Sequence, residues 1–418
     1  MRRPAPWIAG LGMLLSLSFA GGAEPTAIWP QWRGPTRDGR VRGSDWPQRL
    51  DTNHLRERWR VELDEGYSGP IVAADRVFVT ETVNQEFEQV TALERSTGRP
   101  LWSVKWPGAL AVHPFAQAHG NSIRATPACD GATLYVAGMR DLLVALDCQT
   151  GVERWRFDFP ARLNSPLPAY GFVSSPLVQG DFVFVQAGGG FCKLNKQTGE
   201  LLWRVLEDGG GLHGSALSSP MAAAINGFQQ LVVQTRTHLC GVDPVAGKVM
   251  WSTKTRALER LAILTPAIDG NRIFTSAHGG EGLLLGIVGP VGEREASALQ
   301  IWTKRQLQGY LSSPILHQGH AYLQLRNQRL TCVDLTTGEQ VWTTGPYGQY
   351  WSLVTQGDRL LALDETGELL LIRLSPSKFE LLDRRQLYEN AWAHLAVAGE
   401  EIFIRDLRGI TAYRWKAP

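Results

Sequence analysis

The chain has 418 residues, with 42 Lys and Arg against 40 Asp and Glu, for a formal charge of +2 at neutral pH. That balance, without any basic run or stripe, excludes the electrostatic footprint of a nucleic-acid-binding protein. The length exceeds what one ordinary core serves and suits a modular array whose units contact mainly their neighbours.

Residues 1–23 read as a secretory signal peptide. Met1-Arg2-Arg3 is a basic start, and the apolar run from Trp7 to Ala20 is too short to span a bilayer comfortably. Small residues follow, with Ser18-Phe19-Ala20 or Gly21-Gly22-Ala23 as the cleavage site. No Cys stands near that site, so no lipid anchor is expected, and no later stretch reaches transmembrane length. A monomeric chain, periplasmic or secreted, is the expectation.

Residues 24–54 form an irregular arm rich in Trp, Pro and Gly, including Trp29-Pro30-Gln31-Trp32-Arg33-Gly34-Pro35-Thr36-Arg37-Asp38-Gly39 and Asp45-Trp46-Pro47. Its tryptophans either cap one face of the domain or contact a ligand.

From residue 55 to 418 the chain repeats. Ala145-Leu146-Asp147-Cys148-Gln149-Thr150-Gly151-Val152-Glu153-Arg154-Trp155 reads as strand, turn, strand, and relatives of it recur at 93–102, 194–203, 242–251 and 333–342. The Asp carboxylate can accept backbone N–H bonds across the turn, and the Gly supplies positive φ. The Trp brings a large apolar face to a fixed place. Six tryptophans occupy that position: Trp102, Trp155, Trp203, Trp251, Trp342 and, after a diverged turn, Trp302.

Each unit opens with a small residue before Pro, as in Thr126-Pro127, Ser175-Pro176 and Ser313-Pro314, and continues through a hairpin such as Gln179-Gly180-Asp181 before Phe182-Val183-Phe184-Val185. Four antiparallel strands at a period of about 40–50 residues make a propeller blade. Blades are predicted at about 66–107, 119–160, 169–206, 212–255, 260–305, 309–345 and 349–387, the last without a Trp. Three more strands follow Trp392, and the lone strand Leu55–Leu63 with Trp59 fits the vacant outer place. The prediction is an all-β, eight-bladed propeller whose ring is closed by an N-terminal strand, which leaves no exposed edge.

These motifs resemble the pyrroloquinoline-quinone (PQQ)-like propeller repeat over roughly residues 28–415. The resemblance implies the fold and two functional branches: quinoprotein dehydrogenases, and non-catalytic propellers similar to BamB. In the first branch the quinone stacks on a disulfide of adjacent cysteines above a calcium site. This chain has neither adjacent cysteines nor the Glu/Asn/Asp set, so no cofactor and no metal are expected. Cys129, Cys148, Cys192, Cys240 and Cys332 read as unpaired structural thiols.

No hydrolase, zinc or phosphate-loop signature is present. The loops leading into innermost strands, together with those between second and third strands, share one face. That face should carry Tyr67, His119, Asn121, Arg124, Tyr170, His213, Arg260, His278, Tyr310, Tyr350, Trp351 and Trp392 at the channel entrance. Convergence of His119, His213 and His278 would make a metal or proton-transfer site; the alternative is polar loop residues. The aromatics either form a recognition surface or plug the channel. The reading that follows is a non-enzymatic binding scaffold with an envelope or secreted protein partner. The alternatives are a PQQ-dependent oxidoreductase with an atypical site, or a carbohydrate- or small-ligand-binding propeller.

Overall fold

The computed structural model describes residues 27–43, 45–114, 116, 120–289 and 295–416. The signal-peptide reading of residues 1–23 and the predicted site residue His119 lie outside them. Eight four-stranded antiparallel sheets form a ring. Seven are consecutive in sequence, starting at Ile71, Ala128, Leu177, Met221, Ala267, Ile315 and Trp351. We number these blades 1 to 7. Blade 8 takes Ala396–Ala398, Glu401–Asp406 and Gly409–Trp415 from the C-terminus and Leu55–Glu62 from the N-terminus. Leu55 pairs with Trp415 and Glu62 with Gly409, so the ring closes as the sequence predicts.

The first strands are innermost and approach one another around the channel, as between blades 8 and 1, 2 and 3, 5 and 6, and 6 and 7. The second and third strands are the most apolar and are buried on both faces, as in Thr133–Gly138 and Leu142–Asp147. The outer strands alternate between buried and exposed positions, because only one of their faces meets a neighbour.

The predicted turn forms as the residue types require. The Asp147 carboxylate accepts the amides of Gln149 and Thr150, each at 2.9 Å, and receives a 2.7 Å bond from Arg154. The Arg154 bond and those from Thr150 hold the Asp147 carboxyl well below its usual range. This turn is also the seat for the Trp of the preceding blade. The Trp155 indole donates to the Lys196 carbonyl of blade 3 at 2.9 Å and lies against Gly199, where a methyl group would stand 2.6 Å from the ring. Trp59, Trp102, Trp203, Trp302 and Trp342 likewise donate to carbonyls of the next blade, those of Arg95, Cys148, Val245, Leu335 and Ser375.

Trp251 departs from the pattern. Its indole donates back to Gln230 of its own blade at 2.6 Å. The other six docking tryptophans each pack on an aromatic residue of their own second strand, at 5.8–5.9 Å. Blade 4 has Val232 at the corresponding register position, opposite Met221. Blade 7 has no docking Trp, and the arm serves that seam. The Trp46 amide donates to Gln356 of blade 7, and its ring lies 6.3 Å from Trp415 of blade 8.

The pre-proline residues build a second ring. Their hydroxyls accept amides from the preceding blade: Gly69 N to Thr126, Thr126 N to Ser175, Ser175 N to Ser219, Ser219 N to Thr265 and Thr265 N to Ser313, at 3.0–3.1 Å. All of these residues are buried. A hydroxyl is the smallest side chain that can satisfy a buried amide at this radius.

Candidate functional site

The arm plugs the ring: it meets the far ends of innermost strands before and after a stretch, residues 32–37, that reaches inward. Trp29 pairs with Val72 of blade 1, and the Pro30 carbonyl accepts the Cys129 amide of blade 2. Arg37 donates to the carbonyls of Ser175 and Pro176 in blade 3, and Arg33 to that of Pro314 in blade 6. Gly39 and Val41 pair with Thr355 of blade 7. Arg33 and Arg37 flank the Trp32 ring at 5.4 and 5.5 Å. Burial lowers them to about 10 and about 9, so both stay charged at neutral pH, held by backbone carbonyls. Gly34 packs on Trp29, where a Cβ would come within 2.7 Å of the ring.

Above Trp32 the ring opens into a funnel of about 300 Å³. Seven predicted residues line it: Tyr67, Arg124, Tyr170, His278, Tyr310, Tyr350 and Trp392. They come from the blade-to-blade connections and, for His278, from the turn between the second and third strands of blade 5. Beneath them the hydroxyl ring faces the same space through Thr126, Ser175, Ser219, Thr265 and Ser313.

The walls are ordered by aromatic contacts. Tyr350 stacks on Trp392 at 6.0 Å and 11°. His394 stands edge-on to both Trp32 (5.4 Å) and Tyr350 (5.7 Å). Burial, followed by the charge of Arg33, pushes His394 down to about 3, so it is a neutral ring and no acid at physiological pH. His278 meets Tyr310 edge-on at 5.0 Å and is lowered by burial and then by Arg326. Arg124 lies 6.0 Å from the Tyr67 ring and donates to the Gly120 carbonyl; burial lowers it to about 10. Burial also raises the Tyr67, Tyr310 and Tyr350 hydroxyls.

Four other predicted residues are not among the funnel lining. Trp351 is the next residue after Tyr350 in a strand, so its side chain points the opposite way, into the core between blades 6 and 7. The Asn121 carbonyl oxygen accepts the Val112 amide, and its side chain is spent on that loop. His213 and Arg260 are exposed outside the funnel. The predicted convergence of His119, His213 and His278 is therefore not formed by His213 and His278. Among the described residues no cluster of three or more His, Cys, Asp or Glu could hold a metal. Besides the small and aliphatic residues of the lining, sequence reasoning missed two aromatic residues of the funnel, Trp32 and His394. The Trp-x-x-Trp-Arg-Gly-Pro spacing was the available signal for Trp32.

Comparison with known proteins places the fold. The family described as outer membrane protein assembly factor BamB matches residues 48–117 and 86–344, more than half of the chain. An outer membrane protein assembly factor BamB of Nitrosomonas eutropha is 26% identical over 255 residues, covering 58% of this chain and 54% of that protein. The chain thus spans 54% of the length of that relative. The solved structure of BamB from Moraxella catarrhalis superposes with a TM-score of 0.62 at 14% identity, over 87% of this chain and 98% of that one. A europium-containing methanol dehydrogenase superposes with a TM-score of 0.52 at 11% identity, over 92% and 91%; at such identity the likeness is one of fold. The repeats, the closed eight-blade ring and the family match agree: this chain belongs to the PQQ-like propeller family described as outer membrane protein assembly factor BamB.

Proposed function

We propose that the chain is an exported, non-enzymatic propeller that binds an extended segment of an envelope or secreted protein at the funnel. The observation that carries this reading is the concentration of Tyr67, Arg124, Tyr170, Tyr310, Tyr350 and Trp392 around one blind mouth. Tyr, Trp and Arg dominate the energetics of protein recognition, because they desolvate large faces while keeping a polar handle. About 300 Å³ lies at the lower end for small-molecule sites and suits one or two inserted side chains of a partner. The family description and the N. eutropha relative, each an outer membrane protein assembly factor by name, support a protein partner and a periplasmic or secreted location. No helix among the described residues is long and apolar enough to cross a membrane.

The quinone reading fits the residues poorly. The described funnel lining has no cysteine to stack a quinone and no carboxylate to hold a cation. All five cysteines sit within the blades. No step through PQQ is derived.

A photo-reactive phenylalanine analogue at Tyr310 tests the proposal, with the same group at Val245 as the control. Val245 is 78% exposed, in a turn on the opposite face. A discrete adduct with one envelope protein from position 310, absent from 245 and lost with Trp392→Ala, is the expected result. Identical adduct patterns from both positions, or glycan binding that saturates in the funnel, would overturn it.

A further inference from the structure

Two of the five cysteines meet at the junction of arm, blade 1 and blade 2. Cys129 ends the innermost strand of blade 2, and Cys148 follows Asp147 in the docking turn. Their sulfurs are 3.1 Å apart, across the buried base of the blade. The other three are solitary. Cys240 faces the Ser252 hydroxyl at 3.4 Å, and Cys192 and Cys332 sit inside strands.

We propose that Cys129 and Cys148 form a disulfide in the exported protein, and that this bond locks the seam at which the arm enters the ring. The backbone of each cysteine already serves that seam. The Cys129 amide donates to Pro30 of the arm at 2.7 Å. The Cys148 carbonyl accepts the Trp102 indole of blade 1 at 3.1 Å and the Arg76 guanidinium at 2.8 Å. A covalent S–S link of about 2.05 Å needs the two sulfurs to close by about 1 Å, a change that χ1 adjustment in two short side chains supplies. It would tie the arm's attachment point to the acceptor that docks blade 1.

The chemistry balances with a disulfide-bearing oxidant, a small-molecule or protein disulfide of the extracytoplasmic space. The Cys129 thiolate attacks the oxidant's disulfide and expels one of its thiolates. Cys148 then loses its proton and attacks the mixed disulfide. The second oxidant sulfur leaves, the two cysteines share the new bond, and the oxidant has taken up two electrons. Cys129 is the sulfur to attack first: it is 8% exposed against 1% for Cys148. The hydrogen bond between them also favours the thiolate on Cys129 at the expense of Cys148.

The proposal rests on the export reading, since such bonds persist only in oxidising compartments. The purified full chain is treated with oxidised dithiothreitol, denatured, alkylated and digested without reduction. The expected result is a mass loss of about 2 Da and one cross-linked peptide joining Cys129 to Cys148. Cys192, Cys240 and Cys332 should be alkylated. Reduction should lower the melting temperature of the oxidised protein and leave that of Cys129→Ser unchanged. Five alkylated cysteines at oxidant excess, or a different pairing, would overturn the proposal. Acid-trapped protein from cells separates the two readings. If the purified chain closes the bond but the trapped chain carries both thiols reduced, the pairing stands and the export reading falls.

Discussion

Asp141 occupies the left-handed turn between the second and third strands of blade 2, and its carboxylate accepts the Gly188 amide of blade 3 at 2.8 Å. Burial, opposed by that bond, pushes it up to about 7 from an ordinary 3.8. Glu88, which accepts the Met139 amide and the Trp106 indole, is likewise pushed up by burial to about 7 from 4.5. For an acid whose native value is raised, stability is fully present below the unfolded value and is lost as pH rises through the native one. The native state should therefore weaken between about pH 4 and pH 7, offset below 6.5 by His394, whose depressed value works the other way. Asp141→Asn keeps the acceptor and removes the titration. It should flatten the decline in melting temperature from pH 5 to pH 8, by an equivalent on the order of 2–4 kcal/mol at pH 8. An unchanged slope would show that the carboxyl does not titrate in this range. At this scale the sequence revealed the aromatics placed just ahead of each innermost strand. It misplaced Trp351 by one residue, because a one-residue step in a strand reverses the facing side. It could not reveal Trp32 or His394 as partners, since their meeting depends on an arm whose anchors, Arg33 and Pro314, are 281 residues apart.

The blade-to-blade dock is the element that the sequence shows best. Its Asp, Gly and Trp are ten residues apart or less, and local turn chemistry fixes their relation. Every outer strand carries a register shift, beside the Trp in the seven blades that have one, as between Glu57 and Trp59 or between Ala145 and Leu146. Such a shift bends the strand and turns the Trp toward the neighbour. Gly199 and Gly180, both in blade 3 and both left-handed (φ +72 and +58), make a matched test. Gly180→Ala meets no atom within 4 Å and should cost about 1 kcal/mol for backbone strain alone. Gly199→Ala adds a clash with Trp155 and should cost about 2–4 kcal/mol. Denaturant titration of both variants and of the Trp155→Ala pairing should show coupling only at Gly199; additive costs would mean that the seat is not rigid. The reversal of Trp251 was legible in part: the blade 5 turn that would seat it lacks the Asp-x-x-Thr-Gly pattern. Gly241, opposite Trp251, leaves room for the reversed indole that a Cβ would take, and Val232 stands where other blades place an aromatic.

For the molecule as a whole, both the blade count and the closure by Leu55–Glu62 could be read from the chain, because an unfilled outer place and an unpaired strand are complementary. The hydroxyl ring could be read only as a run of small residues before proline. Its hydrogen bonds join residues 44 to 57 positions apart, and each needs both blades in place. Ser219→Ala removes the acceptor of the buried Ser175 amide and should destabilise the fold by about 1–3 kcal/mol in denaturant titration, whereas Ser219→Thr keeps the hydroxyl and should cost less. Equal losses from the two variants would assign the effect to volume.

Ring closure also sets an order of events in time. Arg60 and Thr411, bonded in the finished blade 8, are 351 residues apart, so the strand made first waits for the strand made last. During that interval the Leu55–Glu62 edge has open hydrogen-bonding groups, whereas the dock of Trp59 on Arg95, 36 residues on, needs only blade 1. Such a non-local final step is slow, because loop entropy is spent before the contact forms. A chain that stops short of Gly409 therefore leaves eight-blade geometry without its fastening. It also leaves the N-terminal strand as a free edge on which two incomplete chains can pair.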